Sequence, residues 1–219
     1  MGELADVIAV ATGAEHRPDP VTPTTGGPAG NALLTACTGL LLLALFLAES
    51  VTLISVRSMI SWHIVIGTLL VPLALLKTAT TGWRIVRYYT GNAAYRQAGP
   101  PPLILRVLGP IVILTALAVL GSGLALIAVG NSAHDNLATI VGFRVDAITV
   151  HQASFIAWLA AVGVHTLLRT VPAIRIAGHA GAPRGGVPGG LARLGLIAVT
   201  LIAGGVVSGI VLNLSGAWT

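Results

Sequence analysis

Glu49, His63, Lys77, His151 and His165 are the residues most able to do chemistry in this sequence, because each interrupts an otherwise apolar run. An ionisable side chain in hydrocarbon is costly, so such residues mark cofactor sites, substrate paths or buried pairings. His151 and His165 are fourteen positions apart. On a helix that interval brings them within about 40° of one face and separates them by about 21 Å along the axis. One imidazole then lies near each surface of a bilayer, both turned into a bundle. Imidazole is a haem ligand, and two haems stacked across a membrane need such a pair on a shared helix. The competing reading is that each ring hydrogen-bonds a neighbouring helix.

A six-coordinate iron needs a second axial group. His63 lies a few residues inside its own span, at a depth comparable with His151 on a span running the same way, so the two are expected to sandwich one haem. Lys77 follows His63 by the same fourteen positions and faces the level of His165. Its amine could ligate iron, its cation could pair with a haem propionate, or the side chain could snorkel to the headgroups. The metal candidates are therefore His63, His151, His165 and Lys77.

Glu49, on a third span at the level of His63, could accept a hydrogen bond from a ligating imidazole. It could also exchange a proton with a quinone, or sit protonated against a backbone carbonyl. Gly67 lies one turn after His63, and Gly121 and Gly123 interrupt another span. Glycines let a flat macrocycle approach a helix, and they equally permit close helix packing. Arg84 and Arg87, three positions apart beyond Lys77, could hold propionates or simply belong to a basic loop.

Composition defines the elements that must position these groups. Of 219 residues, 55% are apolar and 9% charged, and the mean hydropathy is +0.90. A soluble domain carries about a quarter charged residues, so a soluble enzyme and a disordered tail protein are excluded. Five apolar segments, roughly 31–56, 59–83, 108–130, 148–168 and 191–214, are each long enough to cross about 30 Å of hydrocarbon as a helix. The expected fold is all-α: a polytopic transmembrane bundle of five spans, with a haem-binding core from the second and fourth. Pro72, between the levels of His63 and Lys77, is a candidate kink.

Residues 1–30, turn-rich from His16 to Pro20 and from Pro23 to Gly30, read as a mobile amino-terminal extension. The membrane domain is expected over 31–214, with a short tail at 215–219. The net charge of +5 comes from twelve Lys and Arg against seven Asp and Glu. No basic run is present, so nucleic acid is not an expected partner; the lipid bilayer is. Arg84, Arg87, Arg96, Arg106, Arg169, Arg175, Arg184 and Arg193 fall on one side of the spans, and only Arg57 and Arg144 on the other. The positive-inside rule then puts the amino terminus in the cytoplasm. One cysteine, Cys37, excludes an internal disulfide. Gly205 and Gly209 form a GxxxG element expected to pack a helix within or between chains. His134 and His179 fall in loops and are expected to be solvated.

The stretch from Lys77 to Pro110, the run from His151 to Trp158, and the pair Val164 and His165 resemble membrane-embedded b-type cytochromes. These include the cytochrome b subunits of formate dehydrogenases and nickel–iron hydrogenases, and related small bacterial membrane proteins. The similarity covers the second to fourth spans, about half the chain. It implies one or two haem b groups, bis-histidine ligation, electron exchange with a redox partner protein or a quinone, and a bacterial cytoplasmic membrane. A two-haem member would supply a fourth histidine; Lys77 stands where that ligand would be useful. The expected role is that of an electron-transfer subunit of an oxidoreductase complex rather than a stand-alone enzyme, with no catalytic residue of its own. The alternatives are a transporter or channel using Glu49, His63 and Lys77 as polar path residues, and a haem-free assembly subunit.

Overall fold

The computed structural model describes residues 2–15, 18–178 and 186–219. Seven helices and one small hairpin follow in the order α1 (Glu3–Thr12), α2 (Gly27–Thr52), α3 (Ile60–Tyr89), α4 (Ala93–Ala98), α5 (Leu103–Val129), β1 (Ala138–Ile140), β2 (Phe143–Val145), α6 (Ala147–Gly178) and α7 (Gly190–Leu214). Five of them, α2, α3, α5, α6 and α7, are long and apolar enough to cross a membrane. They hold 25 to 32 residues each, or about 38–48 Å at 1.5 Å per residue. The chain is a multi-pass membrane protein of the all-α class.

Local chemistry sets the helix ends. α2 opens after Gly26 at φ 76°, with Pro28 in its first turn, where a missing N–H costs nothing. α5 begins directly after the triple proline Pro100–Pro102. At α6, Thr149 donates both its backbone N–H and its hydroxyl to Asp146 Oδ1, each at 2.7 Å, which satisfies an otherwise orphaned donor of the first turn. The hairpin pairs Ala138 with Val145 and Ile140 with Phe143. Its two turn residues, Val141 and Gly142, have φ of 50° and 82°, the signature of a type I′ turn.

α2, α3, α5 and α6 form a ring in that order, and α7 packs against the outside of α3. Among the described residues neither diagonal pair, α2–α5 or α3–α6, packs closely; the space between them is the cavity described below. Outward residues such as Leu114, Leu167, Leu191 and Ile202 are more than three-fifths exposed, as a lipid-facing surface requires.

α3 passes through Pro72 as one helix. The proline ring is covered by α7 at Gly204, where a Cβ would come within 3.0 Å of Pro72 Cγ and 2.7 Å of Leu69 Cδ1. Ser208, one turn on, donates to the Val65 carbonyl at 3.0 Å. The small residues that seat α7 are therefore Gly204 and Ser208. Gly205 and Gly209, the GxxxG pair, meet nothing and lie on the exposed side.

The amino-terminal segment expected to be mobile carries α1, which packs on α6 with Val7 buried. Gly13 closes α1 at φ 74° and accepts a hydrogen bond from Arg175. Asp19 forms a bidentate pair with Arg84, at 2.8 and 3.0 Å. These ties bring the segment under the basic end of the bundle, and residues 27–30 belong to α2. His179 and Arg184 lie outside the described residues.

Candidate functional site

The ring of four helices encloses a cavity of about 750 Å³, a size found for whole organic ligands. Its walls are mostly aliphatic and aromatic, with polar groups gathered at its two ends: Glu49, His63 and His151 at one, Lys77, His165 and Arg169 at the other. α7 contributes nothing to the lining. Phe46 of α2 meets Trp158 of α6 edge to face, with centroids 4.7 Å apart, and fixes the wall between the two ends.

At the first end, His63 of α3 and His151 of α6 approach across the bundle diagonal. Their ring centroids are 6.4 Å apart and their planes cross at 83°. His63 Nδ1 lies 2.7 Å from Glu49 Oε1 and 3.0 Å from Thr52 Oγ1. The Thr52 hydroxyl spends its proton on the Glu49 carbonyl at 2.6 Å, so it accepts from the imidazole. His151 Nδ1 lies 3.0 Å from Ser122 Oγ, and that hydroxyl donates to the Val119 carbonyl at 3.1 Å. A hydroxyl has one proton to give. Both networks therefore assign the imidazole proton to Nδ1 and leave the lone pair on Nε2 of each ring.

Two imidazoles on opposite sides of one metal ion, with bonds of about 2 Å and ring nitrogens about 1.1 Å from their centroids, have centroids about 6.3 Å apart. His63 and His151 have that spacing. Among the described residues no three His, Cys, Asp or Glu side chains cluster as a metal site. A macrocycle that brings four nitrogens of its own needs only the axial pair.

Glycine positions keep this end open. At Gly123 a Cβ would lie 3.2 Å from His151 Cε1, and at Gly67 one would lie 3.5 Å from Glu49 Oε1. Gly121, by contrast, faces open space. Glu49 is buried, and its Oε2 has no partner.

The opposite end is chemically different. Lys77 reaches from α3 to α2, where its Nζ donates to the Thr35 carbonyl at 3.1 Å; a Cβ at Gly39 would come within 2.7 Å of that nitrogen. His165 and Arg169, one helical turn apart on α6, also line the cavity. Arg84 and Arg87 are not brought to the cavity. Arg84 is held by Asp19, and the Arg87 guanidinium lies 5.4 Å from the centre of the Trp83 ring.

Of the residues singled out in the sequence, Glu49, His63, Gly67, Lys77, His151 and His165 share this one cavity. Three functional groups were missed. Thr52 and Ser122 are small hydroxyls that set the tautomers, and Ser122 had a signal in its placement between Gly121 and Gly123. In the sequence Arg169 reads only as a topological charge, although it follows His165 by one turn on the same face. No family model matches the chain, and neither a curated protein nor a solved structure matches it.

Proposed function

We propose that this protein is a membrane b-type cytochrome that carries electrons through a haem held by His63 and His151. The observation that carries this reading is the crossed imidazole pair, 6.4 Å between centroids, with both Nδ1 atoms tied down and both Nε2 atoms left basic. A bound haem supplies a reversible ferric–ferrous couple. The chain's own residues hold and tune it. Glu49 and Thr52 orient the His63 ring, and the carboxylate makes that imidazole the more basic ligand of the two. Ser122 orients His151 with a neutral hydroxyl. Gly123 keeps the face of α5 low beside the His151 ring, and Phe46, Phe155 and Trp158 exclude water from the middle of the cavity.

The function follows as electron transfer between a redox partner protein and an acceptor such as quinone, in a bacterial-type cytoplasmic membrane. The positive-inside rule supports an amino terminus in the cytoplasm, because Arg84, Arg87, Arg96, Arg106, Arg169, Arg175 and Arg193 belong to the same end of the bundle. A polar conduction path through Glu49, His63 and Lys77 is the weaker reading. The three share a cavity, but Lys77 lies about 21 Å along α3 from His63, and Leu70, Val71 and Ala74 line the interval.

The test is the reduced-minus-oxidised spectrum of protein purified from haem-replete cells. A b-type spectrum whose six-coordinate His63–His151 component is lost in both His63→Ala and His151→Ala is expected. A colourless wild-type protein, or an unchanged six-coordinate signal in either variant, would overturn the assignment.

A further inference from the structure

The basic end of the cavity has no counterpart to the polar partners of the histidine end. Arg169 makes no hydrogen bond or ion pair among the described residues, although it lies within α6 and lines the cavity. Asp19 acts on it electrostatically, but both oxygens of that carboxylate are already engaged by Arg84. Lys77 has only a backbone carbonyl, which leaves its charge uncompensated. Glu49 is the sole carboxylate among the lining residues, and it sits at the opposite end against His63. Two cations and an imidazole thus line this end of an apolar chamber, and no carboxylate among the described lining residues stands beside them.

An unpaired cation in a membrane segment costs several kcal/mol unless water, a headgroup or an anion compensates it. Arg169 lies eighteen positions beyond His151, about 27 Å along the axis. A macrocycle held at His151 cannot bring an acidic substituent to it. The depth is that of a lipid headgroup on a bilayer with about 30 Å of hydrocarbon, and basic pockets between transmembrane helices are known sites for acidic lipid heads.

We propose that the basic end binds the acidic head of a membrane amphiphile, a phosphate or carboxylate held by Arg169 and Lys77, with its apolar body lying in the cavity. Arg169 offers a planar fork of donors that matches either oxyanion. Lys77 adds a point charge from the opposite helix. Two sources can supply the head: an anionic phospholipid, or the propionates of a second haem ligated by His165. The inference stands independently of the haem at His63 and His151, since it uses none of those groups.

The experiment uses the full chain reconstituted in phosphatidylcholine vesicles, with or without phosphatidylglycerol, and reads the thermal unfolding midpoint and the haem-to-protein ratio. A phospholipid occupant predicts a midpoint that rises with phosphatidylglycerol. In Arg169→Gln the apparent affinity should weaken about tenfold or more, while Arg169→Lys recovers part of it. Arg106→Gln, a change outside the cavity on the same basic side, keeps the wild-type response and controls for general charge attraction. A haem occupant predicts no phosphatidylglycerol response and a haem ratio that drops by one in Arg169→Gln.

The His63→Ala protein, lacking the other haem, should show the same lipid response, so failure of one reading does not mask the other. Should Arg169→Gln not fold, the wild-type and His63→Ala proteins still decide. No midpoint preference for phosphatidylglycerol, together with a His63→Ala protein that retains no haem, overturns the proposal.

Discussion

The two ends of the cavity solve opposite problems with similar residue types. At the histidine end, each imidazole proton is received by a hydroxyl or a carboxylate, and each of those hydroxyls passes its own proton to a backbone carbonyl. The rings are fixed in one tautomer before anything binds. At the basic end, Lys77 meets a single carbonyl and Arg169 meets no partner among the described residues. The first arrangement ties both imidazole N–H groups to protein acceptors and presents lone pairs; the second is incomplete in charge and presents donors. A pre-oriented ligand pair is what a metal requires, whereas an uncompensated cation pair requires an anion from elsewhere.

This contrast can be broken most severely at the axial pair. His63→Ala or His151→Ala should remove the spectrum of the haem at this end, while the helix content measured by circular dichroism remains. A spectrum unchanged in both would erase the distinction between the ends.

The next effect separates the two imidazoles. Glu49→Gln removes a charge beside His63 but keeps an acceptor, so the ferric state loses support and the midpoint potential should rise by about 60 mV, a tenfold shift for one electron. Ser122→Ala removes only a neutral hydroxyl, worth about 1 kcal/mol, and should move the potential less. Redox titration of the two variants compares them directly, and equal shifts would contradict the assigned asymmetry.

At the basic end, Asp19→Ala should leave Arg84 unpaired and free the amino-terminal segment, at a cost of about 1 kcal/mol in unfolding free energy. Increased proteolysis before α2 is the accompanying readout; an unchanged digestion pattern would show that the Asp19 pair does not anchor the segment.

The smallest expected effect is at the cap of α6. Hydrogen bonds from the Thr149 side chain and backbone hold the Asp146 carboxyl below the usual aspartate range. A group with a depressed folded-state value contributes its full stability above the unfolded value, and loses it as pH falls through the folded one. The thermal midpoint of Asp146→Ala should therefore lie slightly below wild type at neutral pH, and the two should converge below about pH 4. A difference that persists in acid would assign the effect to packing.

The five spans and the meeting of His63 with His151 were legible from hydropathy and spacing, because helical periodicity fixes depth and face together. The phase also survives Pro72, since α7 supports that turn through Gly204. Span ends were less legible. α3 runs on to Tyr89 and α6 to Gly178, where apolarity fades but arginines on long stems let the helix continue through the interface. Pairings remote in sequence were not legible. Arg84 looks available until Asp19, sixty-five positions earlier, is found against it. The hydroxyls of Thr52 and Ser122 are ordinary residues whose role exists only through the ring each one meets. Within the chain, the packed face of α7 lies one residue away from the GxxxG pair, because Ser208 serves as well as glycine where helices meet.

The most direct measurement is electron paramagnetic resonance of the purified ferric protein. Imidazole planes crossed at 83° predict a low-spin haem with the strongly anisotropic signal of near-perpendicular axial ligands. A high-spin signal, a low-spin signal typical of parallel rings, or no haem signal at all would contradict the His63–His151 site.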